Sequence, residues 1–372
     1  MVGSDKKKIV FRVDASIQMG TGHVMRCLTL ADALKRKGAK CYFICREHSG
    51  NLIITIKERG HEVYPLPLYK QHQNNEQDIF YSKLDHAAWL GASQEVDADL
   101  SISIIRLLKP DWVIVDHYAI DNHWEKKLRP YCKHMMVIDD LADRCHDCDL
   151  LLDQTFGREV KDYVPLVASQ TQLLCGAKFA LLRPEFEQWR EYSLNRRKGG
   201  KIEHLLINLG GVDKDNITTQ ILKSLVNSSL PEKARITVVM GSTAPWILNV
   251  KNQAEVMPWE TDVKVGVNNM AELMANNDLA IGAAGATSWE RCCLGLPTII
   301  VVLADNQKLI ASKLKGSGAA LFLEKEYINS QILPSYIEDL VNSSHRLINL
   351  GKFSAKIVNG MGVSAVLKGM SL

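Results

Sequence analysis

One stretch near the amino end carries side chains that could activate a water molecule. It contains Arg12 and Asp14, then Gly20 and Gly22, and then His23. The two glycines follow an apolar run and allow a tight turn before a helix begins. A helix start favours the neutral form of a histidine, so we expect His23 to act as a general base that Asp14 orients. The alternative is that His23 only caps the helix beside a structural turn.

A second polar run, Asp116, His117 and Tyr118, follows the apolar stretch 112–115. A short β-branched run of this kind predicts a buried strand, and the carboxyl ends of parallel strands form the ligand side of an open α/β sheet. We therefore expect these side chains to take part in a site, although a solvated turn would also fit. Two adjacent aspartates at 139–140 repeat the arrangement one strand later, and there turn capping is an equal alternative.

Small residues follow two strands of the second half. Gly210 and Gly211 lie in the run NLGGVD, and a later strand leads into GAAGATSWE. A small-residue loop that enters a helix can hold a phosphate on its N–H groups and on the hydroxyl of Thr287 or Ser288. Glu290, one turn inside that helix, could accept hydrogen bonds from ribose hydroxyls. The alternative is a tightly packed turn in which Glu290 complements the helix dipole.

Parallel sheets are needed to position these residues. In both halves, short β-branched runs alternate with turns and helical stretches, which is typical of βα units. The predicted strands are 9–13, 40–44, 112–115, 137–139 and 150–153, then 204–208, 235–240, 279–282 and 298–302. We predict an α/β protein with a first domain over 1–194, a polar linker over 195–201 and a second domain over 202–345. A terminal helix over 346–372 is expected to pack back on the first domain.

Composition excludes several classes of protein. A length of 372 residues fits two domains, and a net charge of +3 is too small to indicate a nucleic-acid or membrane surface. The chain has no apolar signal segment, and its nine cysteines do not form a disulfide pattern. We therefore expect a cytoplasmic protein without stable membrane association. Cys145 and Cys148 lack the second half of a zinc site, and Met25 replaces a glycine of the nicotinamide fingerprint, so we expect no metal and no cofactor.

The motifs also occur together in a recognisable order. They are RVDAS, MGTGHVMRCLTLA, VDHY, the GG-x-D loop and GAAG-x-T-x-W-E followed by GLP and NQ, and they cover most of the chain. The set resembles the family of UDP-2,4-diacetamido-2,4,6-trideoxy-sugar hydrolases of pseudaminic acid biosynthesis, which serves flagellin glycosylation. The second half is also similar to the N-acetylglucosaminyltransferase of peptidoglycan synthesis. The resemblance implies a GT-B fold, in which two Rossmann-like domains with parallel sheets face a central cleft.

The same resemblance implies roles for individual residues. His23 would handle the attacking water, Tyr118 would contact the sugar or help to orient the water, and the second domain would hold UDP. Asn269 and Met270 match the segment whose backbone meets uracil, and Glu290 matches the ribose ligand. Further substrate contacts are expected at Arg12, Gly20, Gly22, Asp116, His117, Gly210, Gly211, Ala284, Gly285, Ala286, Thr287, Asn306 and Gln307. The implied reaction is metal-independent hydrolysis at the anomeric carbon, with inversion.

Two other functions stay open at this stage. A GT-B glycosyltransferase would have the same nucleotide half and would differ only on its acceptor side. Lipid-acceptor enzymes generally have an apolar, basic patch in the first domain, and the mixed segment 51–68 does not supply one. A non-catalytic nucleotide-sugar binding protein would keep the motifs while His23 and Tyr118 merely pack. The expected partners are a UDP-sugar and water, and no nucleic acid.

Overall fold

The computed structural model describes residues 6–68, 84–303 and 307–372. The chain divides into two compact units. The first comprises the chain up to residue 181 together with residues 362–372, and the second comprises residues 182–361. Each unit contains a parallel sheet accompanied by helices, so the predicted α/β class is confirmed.

The described residues of the first unit form a seven-stranded parallel sheet. The strands are β1 (Lys8–Val13), β2 (Lys40–Arg46), β3 (Glu62–Leu66), β4 (Trp112–Asp116), β5 (His134–Ile138), β6 (Leu150–Asp153) and β7 (Gln172–Cys175). Their spatial order is β3-β2-β1-β4-β5-β6-β7, so the chain order reverses between β1 and β4. In open α/β sheets, ligands bind outside the carboxyl ends of the strands at this reversal point.

Side-chain alternation gives this sheet a core on each face. In β1, Ile9 and Val13 face one hydrophobic core, and Val10 faces the other. Helix α1 (Gly22–Arg36) covers the face of Ile9, because its apolar residues, such as Leu28, belong to that core. The other α-helices before residue 181 in the described part of the chain are α2 (Ile53–Glu58), α3 (Gln94–Leu108) and α4 (Asn122–Leu128). A strand that is buried on both faces reads as a continuous apolar run, which is why β1 and β4 were predictable.

The second unit repeats this arrangement around a six-stranded parallel sheet in its described part. Its strands are β8 (His204–Asn208), β9 (Arg235–Met240), β10 (Glu260–Val265), β11 (Leu279–Ala283), β12 (Thr298–Val302) and β13 (Leu321–Glu324). Its helices are α5 (Pro184–Arg196), α6 (Ile217–Leu225), α7 (Ile247–Glu255), α8 (Met270–Asn276), α9 (Thr287–Cys293), α10 (Lys308–Gly316), α11 (Ile332–Asn342) and α12 (Ser344–Ile357). The order β10-β9-β8-β11-β12-β13 reverses between β8 and β11.

The boundaries of the units differ from the predicted domain limits. Helix α5 was placed in the first domain, but it lies in the second unit, where Arg190 donates to the carbonyls of Cys293 and Val358. The predicted linker is also tied to the second unit, because Arg197 donates to carbonyls at the end of α8, including Met274. A polar composition therefore marked a helix end here and not the junction between the units.

The end of the chain is divided between the two units. Helix α12 belongs to the second unit, and only residues 362–372, with helix α13 (Gly362–Gly369), belong to the first. Val366, Leu367 and Met370 join the core beneath α1. The segment that returns to the first unit is thus shorter than the predicted 346–372.

Candidate functional site

A histidine and a carboxylate meet at the reversal point of the first sheet. Pairing of β1 with β4 sets Val13 beside Asp116, so the loop after β1 lies next to the loop after β4. His23, at the start of α1, approaches Asp116 with 2.6 Å between Nδ1 and a carboxylate oxygen. A carboxylate only accepts, so Nδ1 carries the proton in this pair, and in the neutral ring the lone pair lies on Nε2. The neutral ring can then accept a proton at Nε2.

Arg26, one helical turn after His23, holds Asp116 in its charged form. Its Nε and one terminal nitrogen each donate to an oxygen of Asp116 at 2.7 Å, and the other terminal nitrogen reaches Asp140 at 2.5 Å. Burial by itself would raise the pKa of Asp116, but the charge and hydrogen bonds of Arg26 and His23 lower it far below its ordinary value. Asp116 is therefore an anion that can stabilise a positive charge on His23.

The partner expected for His23 was Asp14, and the structure corrects this to Asp116. Asp14 accepts from Arg12 at 2.7 Å and from the backbone N–H of Arg46 at 2.6 Å. Among the described residues, no hydrogen bond or ion pair joins Asp14 to His23. Strand alternation explains the difference, because Asp14 points to the face of Val10, opposite α1. Asp116 points to the face that α1 covers.

Arg12 and His117 lie with Asp14 in a buried ionic network on that opposite face. Arg12 is fully buried and donates to both oxygens of Asp97, at 2.9 and 2.7 Å. His117 has its Nε2 3.3 Å from Asp14, and its Nδ1 accepts from the N–H of Ala119. Burial lowers the pKa of His117, which favours the neutral ring. These two predicted contacts therefore support the sheet edge and do not reach the surface of the site.

Tyr118 packs its ring on His23 and uses its hydroxyl elsewhere. The two rings are in edge-to-face contact with 4.6 Å between centroids, and the hydroxyl donates to Asp140 at 3.0 Å. Burial raises the pKa of Tyr118, so the hydroxyl keeps its proton. Asp140 thus joins the site through Arg26 and Tyr118. Asp139 instead accepts from the N–H groups of the turn after β5, which is the capping role left open for it.

Gly20 and Gly22 shape the loop that leads to His23. Gly20 has a φ of +77°, a conformation that glycine adopts without strain, and its N–H donates to the carbonyl of Ser16. Space is open around the α-carbons of both glycines, where no atom lies within 4 Å of an added Cβ. The loop therefore presents bare backbone next to His23.

The second unit has small residues at its own reversal point. Gly210 has a φ of +97° and open space around it, and Gly211 approaches so closely that a side chain on Gly241 would overlap its carbonyl. Across the reversal, a Cβ on Gly282 would lie 2.5 Å from a nitrogen of Arg291. Glycine at 282 is thus what lets the end of β11 pack on Arg291. Two backbone loops, nearly free of side chains, meet beside β8.

The two hydroxyls of the small-residue loop are already engaged. Ser288 is buried, donates to the carbonyl of Ala283 and accepts from Arg291, while Thr287 accepts from Arg291 at 3.1 Å. Burial lowers the pKa of Arg291 to about 10, and the side chain stays protonated near neutrality. Ala284 is buried, whereas Gly285 and Ala286 leave the start of α9 accessible. The N–H groups, more than the hydroxyls, are what this loop offers an anion.

Glu290 is a half-buried carboxylate that makes no hydrogen bond or ion pair within the described part of the chain. Burial raises its pKa above the ordinary value. Asn269, which precedes α8, is exposed and donates to Glu272, and Met270 begins the helix. Gln307 accepts from the N–H of Leu303 at 3.0 Å, ahead of α10. The predicted contact at Asn306 lies outside the described residues.

No metal site or membrane helix stands out in these ranges of the chain. Within 6–68, 84–303 and 307–372, no group of three or more His, Cys, Asp or Glu side chains is placed to hold a metal ion. Of the pair considered for zinc, Cys145 is exposed and Cys148 is buried. A search of the same residues finds no helix of the length and apolarity that crossing a membrane requires.

Solved structures identify the architecture. The crystal structure of Acinetobacter baumannii MurG aligns with a TM-score of 0.69 over 98% of this chain and 99% of its own, at 16% sequence identity. The calicheamicin glycosyltransferase CalG4 aligns over 99% of this chain and 98% of its own with a TM-score of 0.61, at 13% identity. The protein has a GT-B fold. The fold class implied by the motifs is therefore confirmed.

Sequence comparisons identify proteins that are similar to this GT-B protein. Residues 213–360 match the glycosyltransferase family 28 C-terminal domain. The chain is 27% identical to the UDP-2,4-diacetamido-2,4,6-trideoxy-beta-L-altropyranose hydrolase of Campylobacter jejuni, over 84% of this chain and 97% of that protein. It is 24% identical to the spore coat polysaccharide biosynthesis protein SpsG of Bacillus subtilis, over 95% and 94% of the two chains. The relationship to the hydrolase that the motifs suggested is confirmed.

A longer relative is also similar. An uncharacterized protein of Methanocaldococcus jannaschii is 28% identical over 81% of this chain, and the match spans 56% of that protein, so the chain covers about half of its length. Among the solved structures, the UDP co-structure of S. aureus MnaA aligns with a TM-score of 0.60 over 98% of this chain and 96% of its own, at 12% identity. At such identity the alignment shows the GT-B fold alone.

Sequence reasoning missed three residues of the first-unit site. Arg26 had a usable signal, because it follows His23 by one helical turn and so shares its helix face. His86 and Trp89 had none. Trp89 lies in the 3-10 helix Ala87–Leu90, and His86 directly precedes this helix. The rings of both residues pack near the ring of Tyr118.

Proposed function

We propose that the protein hydrolyses a UDP-linked 2,4-diacetamido-2,4,6-trideoxyhexose at the anomeric carbon, with inversion, to release UDP and the free sugar. The observation that carries this proposal is the 2.6 Å contact between His23 Nδ1 and Asp116 at the reversal point of the first sheet. The relationship to the Campylobacter hydrolase supports the substrate class and a place in pseudaminic acid biosynthesis. Nine free cysteines, most of them buried, support a reducing compartment such as the cytoplasm.

His23 is the proposed general base. Its Nε2 accepts a proton from water while the water oxygen forms a bond to the anomeric carbon. The bond between that carbon and the diphosphate oxygen breaks, and its electron pair leaves with UDP. Asp116 stabilises the imidazolium that forms, and Arg26 keeps Asp116 ionised throughout. A positioned base of this kind contributes about 10²- to 10⁴-fold to the rate.

The second unit is the proposed holder of the leaving group. Charge grows on UDP as the bond breaks, and N–H groups of the Gly210–Gly211 loop and of Gly285, Ala286 and the start of α9 would stabilise it without a metal. Glu290, which makes no hydrogen bond in the described residues, would accept hydrogen bonds from the ribose. Backbone groups at Asn269 and Met270 would meet uracil, with further contacts from the segment of Asn306 and Gln307.

Supporting roles are proposed for the remaining residues. Arg12, Asp14 and His117 form the buried network that fixes the ends of β1 and β4, and thereby the spacing of His23 and Asp116. Tyr118 holds the ring of His23 from the side through its edge-to-face contact. Tyr118 would also face the sugar, whereas its hydroxyl serves Asp140.

A GT-B glycosyltransferase is the second candidate, because residues 213–360 match a glycosyltransferase domain and MurG has a similar fold. In a transferase, His23 would take the proton of an acceptor hydroxyl instead of water. The rest of the proposed chemistry would be the same. Only the attacking molecule distinguishes the two functions.

The test follows UDP release from UDP-2,4-diacetamido-2,4,6-trideoxy-β-L-altrose without an acceptor and with EDTA present, in water enriched in ¹⁸O. Hydrolysis at the anomeric carbon would release UDP at a steady rate and place ¹⁸O in the sugar. Incorporation into UDP would show cleavage at phosphorus and contradict the mechanism. Slow or absent release together with tight UDP binding would favour the transferase or a binding protein.

A further inference from the structure

Three half-buried aromatic rings stand beside His23, and we refer to His86, Trp89 and Tyr118 as the aromatic wall. His86 lies 4.4 Å from Trp89 and 5.4 Å from Tyr118, measured between ring centroids. Trp89 and Tyr118 are nearly parallel, with 25° between their planes and 5.9 Å between centroids. The edge-to-face contact of Tyr118 continues the wall to His23. The wall therefore borders the proposed base directly.

The wall is held firmly by its neighbours. Leu90 is buried in the core on the face of Val10, and Gly91, with a φ of +68°, ends the 3-10 helix. A Cβ on Gly91 would lie 2.9 Å from the His48 ring and 3.0 Å from the Arg46 side chain. Only glycine therefore allows this helix to sit against the buried network under the sheet edge. The backbone next to Trp89 is thus anchored to the core of the first unit.

The polar groups of the wall and its neighbours are unequally engaged. Arg26 donates to both Asp116 and Asp140, and the Tyr118 hydroxyl donates to the same oxygen of Asp140 as Arg26, while the other oxygen of Asp140 is buried without a hydrogen-bond partner in the described residues. By contrast, the indole N–H of Trp89 and the ring nitrogens of His86 make no hydrogen bond within the part of the chain that the structure describes. None of these nitrogens is among the buried unpaired atoms of the described residues, so they are accessible to water or to a ligand. The wall therefore combines half-buried aromatic rings with an N–H donor that makes no hydrogen bond in the described residues.

We propose that the aromatic wall is a subsite for an acetamido group of the sugar. An acetamido group pairs a methyl with a carbonyl oxygen, so its methyl would rest on the ring faces while the oxygen accepts from Trp89 Nε1 or from His86. A hydroxyl in that place would lose hydrogen bonds to water against an apolar surface. The wall would thus select acetamido sugars over hydroxylated ones. This inference rests on the proposed function, since it takes a UDP-linked diacetamido sugar as the substrate.

The experiment measures equilibrium binding in a His23→Asn background, which removes turnover from the reading. The ligands are UDP, UDP-glucose, UDP-N-acetylglucosamine and UDP-2,4-diacetamido-2,4,6-trideoxy-β-L-altrose. Trp89→Ala should reduce the preference for the diacetamido sugar over UDP-glucose about tenfold, because ring contact and donor are both lost. Trp89→Phe keeps a ring and should reduce it about threefold. Affinity for UDP should be unchanged in both variants.

A matched control is Tyr64→Ala, which removes a partly exposed ring from the edge strand β3 of the same unit. It should leave all four affinities unchanged. The proposal is overturned if Trp89→Ala weakens the binding of UDP-glucose and of the diacetamido sugar equally, or weakens the binding of neither.

UDP-N-acetylglucosamine, which has one acetamido group at C2, shows which acetamido group binds at the wall. If it loses as much affinity as the diacetamido sugar, the group at C2 is bound there, and otherwise the group at C4 is.

These readings separate the subsite from the hydrolase proposal. If the wild type releases no UDP but the binding preferences depend on Trp89, the subsite is supported and hydrolysis is contradicted. If the wild type releases UDP but binding does not depend on Trp89, hydrolysis is supported and the subsite is contradicted. Thermal unfolding of Trp89→Phe near the wild-type temperature shows that the fold is intact.

Discussion

The two units have the same sheet arrangement, yet the reversal points carry opposite kinds of residue. In the first unit the point is filled by charged and aromatic side chains, with His23, Arg26 and Asp116 in mutual contact. In the second unit it is lined by backbone, because Gly210, Gly211 and the loop after Gly282 bring little side-chain volume. A fold that binds ligands at one place can thus be used for proton transfer in one copy and for holding an anion in the other.

The comparison predicts that a change in the first unit will affect turnover and that a change in the second will affect nucleotide affinity. Ionisable groups that are packed against one another adjust proton affinity. Bare N–H groups bind an anion without taking part in proton transfer.

The largest effect is expected from Asp116→Asn. Asparagine cannot stabilise the imidazolium and would accept Nδ1–H only through a neutral oxygen, so kcat should fall about 10²- to 10⁴-fold. Steady-state UDP release measures it. Asp14→Asn is the matched control, since Asp14 is an equally buried carboxylate on the opposite face of the sheet. Its main effect should fall on stability, with a smaller loss of kcat through the spacing of His23 and Asp116, and a loss as large as that of Asp116→Asn would contradict the separate roles assigned to the two carboxylates.

A smaller effect is expected from Glu290→Gln in the second unit. If Glu290 accepts ribose hydroxyls, the loss of its charge should weaken UDP binding about tenfold and leave kcat at saturating substrate nearly unchanged. Isothermal titration with UDP and steady-state kinetics provide the two readings. Glu255→Gln, an exposed acidic residue at the end of α7, serves as the control. A fall in kcat without a change in UDP affinity would place Glu290 in the chemistry and break the division.

The smallest effect concerns acid stability. Because the pKa of Asp116 lies below its ordinary value of 3.8, this carboxylate stabilises the folded state at pH values above about 3.8 and loses that contribution as the pH falls further. The difference in denaturation midpoint between wild type and Asp116→Asn should therefore be full at pH 7 and narrow below pH 4. Denaturant titrations at several pH values measure it. A difference that widens in acid would contradict the assigned charge.

The sequence indicated the inner strands of both sheets and missed the outer ones. In the described part of the chain, the four strands without a prediction are β3, β7, β10 and β13, and each is an edge strand there. Edge strands are only partly buried, so they lack the continuous apolar run that made the inner strands recognisable. In β10, for example, no residue is fully buried. The missing signal has a physical cause, namely exposure at the rim of each sheet.

For the site, the sequence indicated the segments more accurately than the contacts within them. The motifs around His23 and Asp116 were singled out, but the pairing was assigned to Asp14. Alternation along β1 could be read from the sequence, whereas the face that α1 covers depends on the strand order in the folded sheet. His86 and Trp89 were not predicted because no local pattern marks them. They are brought to the site by the burial of Leu90 and the tight approach at Gly91.

The most direct test of the division is His23→Ala, assayed for UDP release and for UDP affinity in the same preparation with EDTA present. The account predicts that turnover falls at least about 10²-fold, because the base is lost, while the Kd for UDP stays within about twofold of the wild type. Near-normal turnover in His23→Ala would contradict the assignment of the base. A loss of UDP affinity in step with turnover would contradict the separation of proton transfer from nucleotide binding.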